Sequence, residues 1–340
     1  MKRILALLFI IVSWTAGGCA QRATSATPAS YEVKDYTWVR ASAPGKGAWP
    51  EDCVQGKWPR TLVPIEAYGK LWMIGLGKGS NSVWQSTDGV NWTKEKSNAG
   101  WGERYGATHV FFKNKLWTMG GSQVANSNLK NDVWSSEDGK NWRLVTPSAP
   151  WSARRWHTAV VFDNKIWVIG GIDDWNGDGQ NPHQLNDVWC SSDGVEWTRV
   201  TEHAPWGPRW RHVSLIFENK LWVIGGRDRN DVWCSPDGKE WKQATASAEW
   251  PWRMGQGGFA FDGKIWIFGG IGDTHWLNDI WYSTDGARWT LATQTAPWTP
   301  RSADYSIVFN DKMWIFGGKA DNGGTDDIWY MSPKRYSASR

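Results

Sequence analysis

Apolar residues in this chain come in short runs of four or five, separated by Gly, Asn, Asp and Ser. Runs of that length bounded by turn residues read as β-strands rather than helices. One stretch shows the pattern: residues 107–112, 116–119, 133–135 and 142–145 predict four strands in succession. In the second run of each unit both parities are apolar, as in Leu221, Trp222, Val223 and Ile224. Both faces of that strand are therefore expected to be covered. Asp-Gly between the third and fourth runs signals a hairpin, because Gly accepts the positive φ of a tight turn.

The same unit returns along the chain, and its period sets the architecture. Lys and an aliphatic residue precede Trp72, Trp117, Trp167, Trp222, Trp266 and Trp314, which stand 44 to 55 residues apart. Five of these are followed by a glycine pair, as at Gly120-Gly121; the first carries Gly75-Leu76-Gly77. A second phrase, Trp, Asp-Gly, Trp, follows in five units, as in Trp134, Asp138-Gly139 and Trp142. Six units of four short strands predict an all-β, six-bladed propeller over residues 36–332. The sixth unit ends after Trp329-Tyr330 without an Asp-Gly, whereas Tyr36-Thr37-Trp38-Val39 has the pattern of a fourth strand and no partners nearby. The N-terminal strand is expected to complete the last blade, which removes an open sheet edge.

Tryptophan is the compositional outlier, at 31 of 340 residues. Rows of it fall on strands two, three and four and read as core between blades rather than as a stacking platform. The glycine pair followed by two spaced aromatics, at this period and in six copies, resembles the kelch repeat, also found in the galactose oxidase propeller. Trp stands here where many kelch repeats have Tyr. The Ser-x-Asp-Gly-x-x-Trp turn is similar to the sialidase Asp box, but that motif separates Asp from Gly by one residue, so kelch is the better match.

The N-terminus carries export signals. Lys2 and Arg3 precede an apolar run over residues 4–12, too short to span a bilayer and built like a secretory leader. Ala16-Gly17-Gly18-Cys19 resembles a bacterial lipobox. Residues 1–18 are read as a lipoprotein signal peptide, Cys19 as the acylated residue, 19–35 as a tether and 333–340 as a C-terminal tail. Ala20 after the cysteine implies the outer membrane, so contact with the membrane is expected through the lipid alone. The 38 basic and 34 acidic residues, less Lys2 and Arg3, leave a nearly neutral body. Nucleic acid is not the expected partner, since that requires a basic stripe. Cys53, Cys190 and Cys234 are an odd remainder and cannot all pair within a monomer.

Loop lengths divide the two faces. The Asp-Gly turns are uniform, whereas the loops after the glycine pairs vary from residues 227–229 to residues 172–185. Binding is expected on the variable face, here called the top. The loops returning to strand one carry Trp-x-x-Arg five times, ending at Arg104, Arg154, Arg209, Arg253 and Arg301. That repetition reads as a structural contact. Two positions further on the blades differ: Gly106, Trp156, Arg211, Gly255 and Ala303, then Ala107, His157, His212, Gln256 and Asp304. In ligand-binding kelch proteins the first of these positions lines the channel mouth. The resemblance thus implies Arg211 and Trp156 as ligand contacts, with His157 and His212 behind them. Arg227, from the shortest loop, adds a further cation. Asp174, Asn176 and Asp178 have the opening of a calcium loop, but Leu185 replaces its terminal Glu, so calcium binding is expected to be weak at best.

Two functional classes fit. One is a non-catalytic envelope protein that binds a polar or anionic glycan or protein ligand on the top face. The other is a carbohydrate-active enzyme, such as a kelch-type sialic acid mutarotase or a sialidase-like hydrolase. The first is preferred. No galactose oxidase-type copper site is visible, and Cys190 and Cys234 recur after Trp189 and Trp233 as packing residues. The leader generates a direct prediction: Cys19→Ser releases the protein from the membrane fraction, and unchanged fractionation excludes acylation.

Overall fold

The structure is a computed structural model that describes residues 30–33, 35–42, 64–76, 81–123, 128–174, 183–303, 305–321 and 323–334. Cys19 and Cys53 lie outside the described residues, as do Asn176 and Asp178 of the calcium-loop sequence. The strands form six antiparallel sheets. In blade two they run Thr108–Phe112, Lys115–Met119, Val133–Ser136 and Trp142–Thr146, within a residue or so of the sequence expectation. First strands contact one another from blade to blade and line the axis. Both faces of strand two are buried, as Leu221, Trp222, Val223 and Ile224 show.

The strand-two tryptophans explain how blades stack. Each indole Nε1 donates to the carbonyl that ends strand one, as Trp117 does to Phe112 at 2.9 Å. The far edge of the ring lies beneath the Asp-Gly turn of the next blade. A side chain on Gly194 would begin 2.2 Å from Trp117, so the turn admits only glycine there. Gly89 of blade one sits in the same way on Trp314 of blade six, across the closure of the ring.

Blade six is completed by the N-terminal strand, Tyr36–Ser42, which pairs with Gly323–Pro333. Blade six has no Asp-Gly turn to cover Trp266, and Tyr36 takes that place, edge-on with ring centres 4.9 Å apart. Its hydroxyl donates to Asp262 at 2.6 Å. Trp38 likewise supplies the missing fourth-strand indole. In blades two to five Trp142, Trp197, Trp241 and Trp289 meet a return-loop tryptophan edge to face; Trp38 meets Trp298 at 4.3 Å. Ser30–Val33 adds a fifth, outermost strand to this sheet, inside the segment read as a tether.

The five repeated arginines belong to the scaffold. Arg154, Arg209, Arg253 and Arg301 are fully buried and Arg104 nearly so. Each forks onto an aspartate at the start of strand three: Asp132, Asp187, Asp231, Asp279 or Asp327. In blade four both bonds are 2.9 Å. The same guanidinium donates to the first glycine of the pair, as Arg209 does to the Gly225 carbonyl at 3.0 Å. The aspartate also accepts the indole N–H of the strand-three tryptophan, Trp233 to Asp231 at 2.8 Å. Burial pushes the Asp231 carboxyl up in pKa, but the bonds and charge from Arg209 outweigh it and the net shift is downward. Blade one has Ser82 in place of the aspartate.

Ring closure gives the prediction for this level. Trp38→Ala removes a buried indole and its contact with Trp298, and should cost about 3–5 kcal/mol in urea unfolding. Deleting residues 36–40 should abolish cooperative folding. A truncated chain that melts like the parent overturns closure by this strand.

Candidate functional site

At the top end of the axis the return loops enclose a cavity of about 260 Å³. Trp156, Arg211, His157 and His212 all line it, so four of the residues singled out in the sequence converge on one space. Arg227 does not line it. Its guanidinium lies over Trp210 at 5.7 Å and pairs with Asp228. Asp174 ends strand two of blade three opposite His183, and Leu185, where a calcium loop would place its Glu, is buried in strand three.

The backbone at the cavity mouth is a hydrogen-bond relay that runs from blade two to blade six. Trp156 N–H donates to the Gly106 carbonyl, Arg211 to Trp156, Gly255 to Arg211 and Ala303 to Gly255, at 2.9–3.1 Å. Each link joins neighbouring blades. The four residues whose carbonyls accept have positive φ: 70° at Gly106, 54° at Trp156, 52° at Arg211 and 63° at Gly255. Glycine adopts this freely, whereas a large L-residue is strained by roughly 1–2 kcal/mol. Trp156 and Arg211 therefore hold a costly conformation where sister blades have glycine. Those glycines also make room: a side chain on Gly106 would begin 2.9 Å from the Trp156 ring, and one on Gly255 would begin 2.7 Å from the Arg211 guanidinium.

Around this pair lie groups that the repeat pattern did not flag. Trp156 stacks on Trp210 at 4.6 Å, meets Tyr105 edge-on, and carries the Arg155 guanidinium 4.2 Å above its ring. Lys319, directly after the glycine pair of blade six, lies near Arg211. Its pKa is lowered by burial and then by the guanidinium charge. Arg211 lines the cavity, whereas Lys319 is not among the lining residues and holds its ammonium over the Trp276 ring at 5.4 Å. The only sequence signal was variation: the Arg155 position differs in all of blades two to six, and the Lys319 position is Ser122, Ile172, Arg227 or Ile271 in the others.

His157 and His212 also staple blades together. Their Nε2 atoms bond Thr108 and Thr158 of the preceding blade, both at 3.0 Å. Burial, followed by the charge of Arg209, pushes the His212 pKa down to about 3. His109 is lowered to about 3 by burial and Arg104, and His157 falls well below its ordinary value for the same kinds of reason. All three imidazoles are neutral at ordinary pH. Cys190 and Cys234 are buried free thiols away from the cavity lining, raised in pKa by burial.

A six-bladed propeller with glycine-pair repeats and a loop-built cavity on its axis is a kelch-type propeller. The family model for the KLHDC2/KLHL20/DRC7 Kelch-repeats domain matches residues 106–291, and the chain belongs to the kelch-repeat family. A solved structure, that of YjhT, superposes with a TM-score of 0.67 at 17% identity, covering 84% of this chain and 97% of the other. The search of curated proteins returns no match.

The buried histidines predict acid sensitivity. Their folded pKa values lie below the unfolded value near 6.5, so the unfolded chain takes up protons that the folded one refuses. Their stabilising effect is complete above pH 6.5 and is lost as pH falls towards 3. By pH 5 the loss is about 2 kcal/mol per histidine. Asp88 and Asp138, lowered to about 2, contribute only at greater acidity. Urea midpoints at pH 7.5, 6.0 and 5.0 should fall steadily, and His109→Ala should flatten the slope.

Proposed function

We propose that this is a non-catalytic binding protein whose top-face cavity takes a polar, anionic ligand, a glycan or a protein segment, with Arg211 as the principal contact and Trp156 beside it. The observation that carries this reading is the left-handed backbone at these two residues, which bear the relay's two large side chains. Strain retained over a cavity, where glycine is the unstrained choice, is accounted for by what the side chain does there. A guanidinium beside an indole suits a carboxylate on a ring, through paired charge-assisted hydrogen bonds and stacking. Lys319 adds positive charge near Arg211, and the kelch fold commonly presents ligands to this face. Arg227 becomes a rim residue in this reading. Export and lipid anchoring in the outer membrane complete the proposal, and calcium, if bound, is peripheral to it.

The test separates the two kinds of arginine. Acidic glycans and acidic peptides are screened on an array with the soluble propeller, and hits are re-measured with variants. Arg211→Ala should weaken binding by roughly 2–5 kcal/mol. Arg211→Gly should weaken it equally yet melt at or above the parent temperature, since the left-handed strain is relieved. Arg209→Ala should instead unfold the domain by leaving Asp231 buried and unpaired, at about 3–5 kcal/mol. Normal binding by Arg211→Ala overturns the assignment, and turnover of a bound sugar overturns the non-catalytic reading.

A further inference from the structure

We propose that His109 is a specificity-determining contact on the wall of this cavity and that it reads an uncharged hydroxyl group of the ligand. The inference rests on the binding reading above and deepens it.

His109 is the second residue of strand one in blade two and lines the cavity. The strand registers place Ala159, Ser214, Gly258 and Ser306 at the same position in four other blades. Blade two alone among these carries a large polar side chain there. It is 4% exposed, and neither ring nitrogen has a hydrogen-bond partner among the described residues. Thr118 stands opposite it in register, and its buried hydroxyl also lacks a partner among the described residues. The corresponding residues elsewhere are Met73, Val168, Val223, Ile267 and Ile315, all apolar. Blade two has thus placed two polar residues side by side in positions that the repeat keeps small or apolar.

Buried polar groups in folded proteins are nearly always partnered, and an exception calls for a ligand or a water to complete it. The type of ligand group follows from the imidazole. Burial holds it neutral, so it presents one N–H donor and one bare nitrogen acceptor. A hydroxyl satisfies both roles, whereas a carboxylate can only accept and an ammonium can only donate. The neighbouring wall is of the same kind: Thr108, Thr158, Ser214 and Ser306 bring hydroxyls to the cavity. The site therefore has two parts, a cationic rim at Arg211 and an uncharged, hydrogen-bonding interior at His109. The molecule it fits carries its charge at one end and hydroxyls on its body.

Two six-carbon monoanions separate the parts: D-gluconate, which carries hydroxyls, and hexanoate, which carries none. Calorimetry on the soluble propeller should give gluconate an affinity about tenfold higher. The ¹⁵N resonances of the His109 imidazole should move with gluconate and not with hexanoate. His109→Ala, which installs the residue blade three has at this position, should bring the two affinities together. Arg211→Ala should weaken both anions by a similar factor. If both bind the parent equally and depend on Arg211, the imidazole is served by water, and the His109 assignment fails while the rim stands. If His109→Ala keeps the preference, the assignment fails as well. If neither anion binds, or Arg211→Ala leaves both unchanged, the binding reading falls and takes this inference with it.

Discussion

The interaction on which the rest depends is the buried arginine–aspartate fork. In each of five blades one guanidinium ties together three segments distant in sequence: the return loop, the end of strand two and the start of strand three. Two full charges out of water are tolerable only if every donor and acceptor is used. Here the aspartate accepts a forked pair and an indole N–H, and the arginine also donates to a glycine carbonyl. Such a pair contributes less net stability than its Coulomb attraction implies. Its value is geometric, because misplacing any one segment strands a charge. The top face is consequently held at fixed height and angle five times over, although its loops differ in length and composition.

That rigidity permits the strain at Trp156 and Arg211. Two residues after the fork, the backbone joins a relay of hydrogen bonds that runs from blade to blade and takes positive φ in the four blades whose carbonyls accept. With the arginine clamped below and the relay on either side, a residue that dislikes the conformation cannot escape it. Two blades satisfy the demand with glycine. Two others place a large side chain there, and the adjoining glycine leaves it space to lie across the mouth. The division between scaffold and site thus falls within three residues, Arg209 and Arg211 being the clearest case.

Much of this was legible in the sequence because repetition marks it. Six copies of the strand-two phrase gave the blade count, and the orphan Tyr36–Trp38 segment, set against a sixth unit without Asp-Gly, gave the closure. Comparing equivalent positions drew attention to Trp156 and Arg211. What repetition cannot show is which repeated residues meet: the aspartate partner of each arginine recurs just as faithfully, in the Asn-Asp-Val-Trp phrase, yet nothing in one dimension joins them. Nor could it show Lys319, Arg155 or His109, which occur once each and gain meaning only when the ring brings blades two, three, four and six to one axis. The position of Arg227 shows the converse. Its short loop looked like a concentration of charge, but the side chain turns onto Trp210 at the rim.

The closing strand also has a consequence in time. Tyr36–Ser42 is among the first parts of the domain to be synthesised, and its partner, Gly323–Pro333, is the last. Until that partner arrives, Trp266 and Trp298 lack the two aromatic rings that cover them, and the sixth sheet has an open edge. Contacts of such sequence separation make folding slow, and the waiting intermediate is prone to pair with another copy of itself. The ring can therefore shut only after the whole domain has been made. Completion of the ring is withheld by the order in which the strands appear.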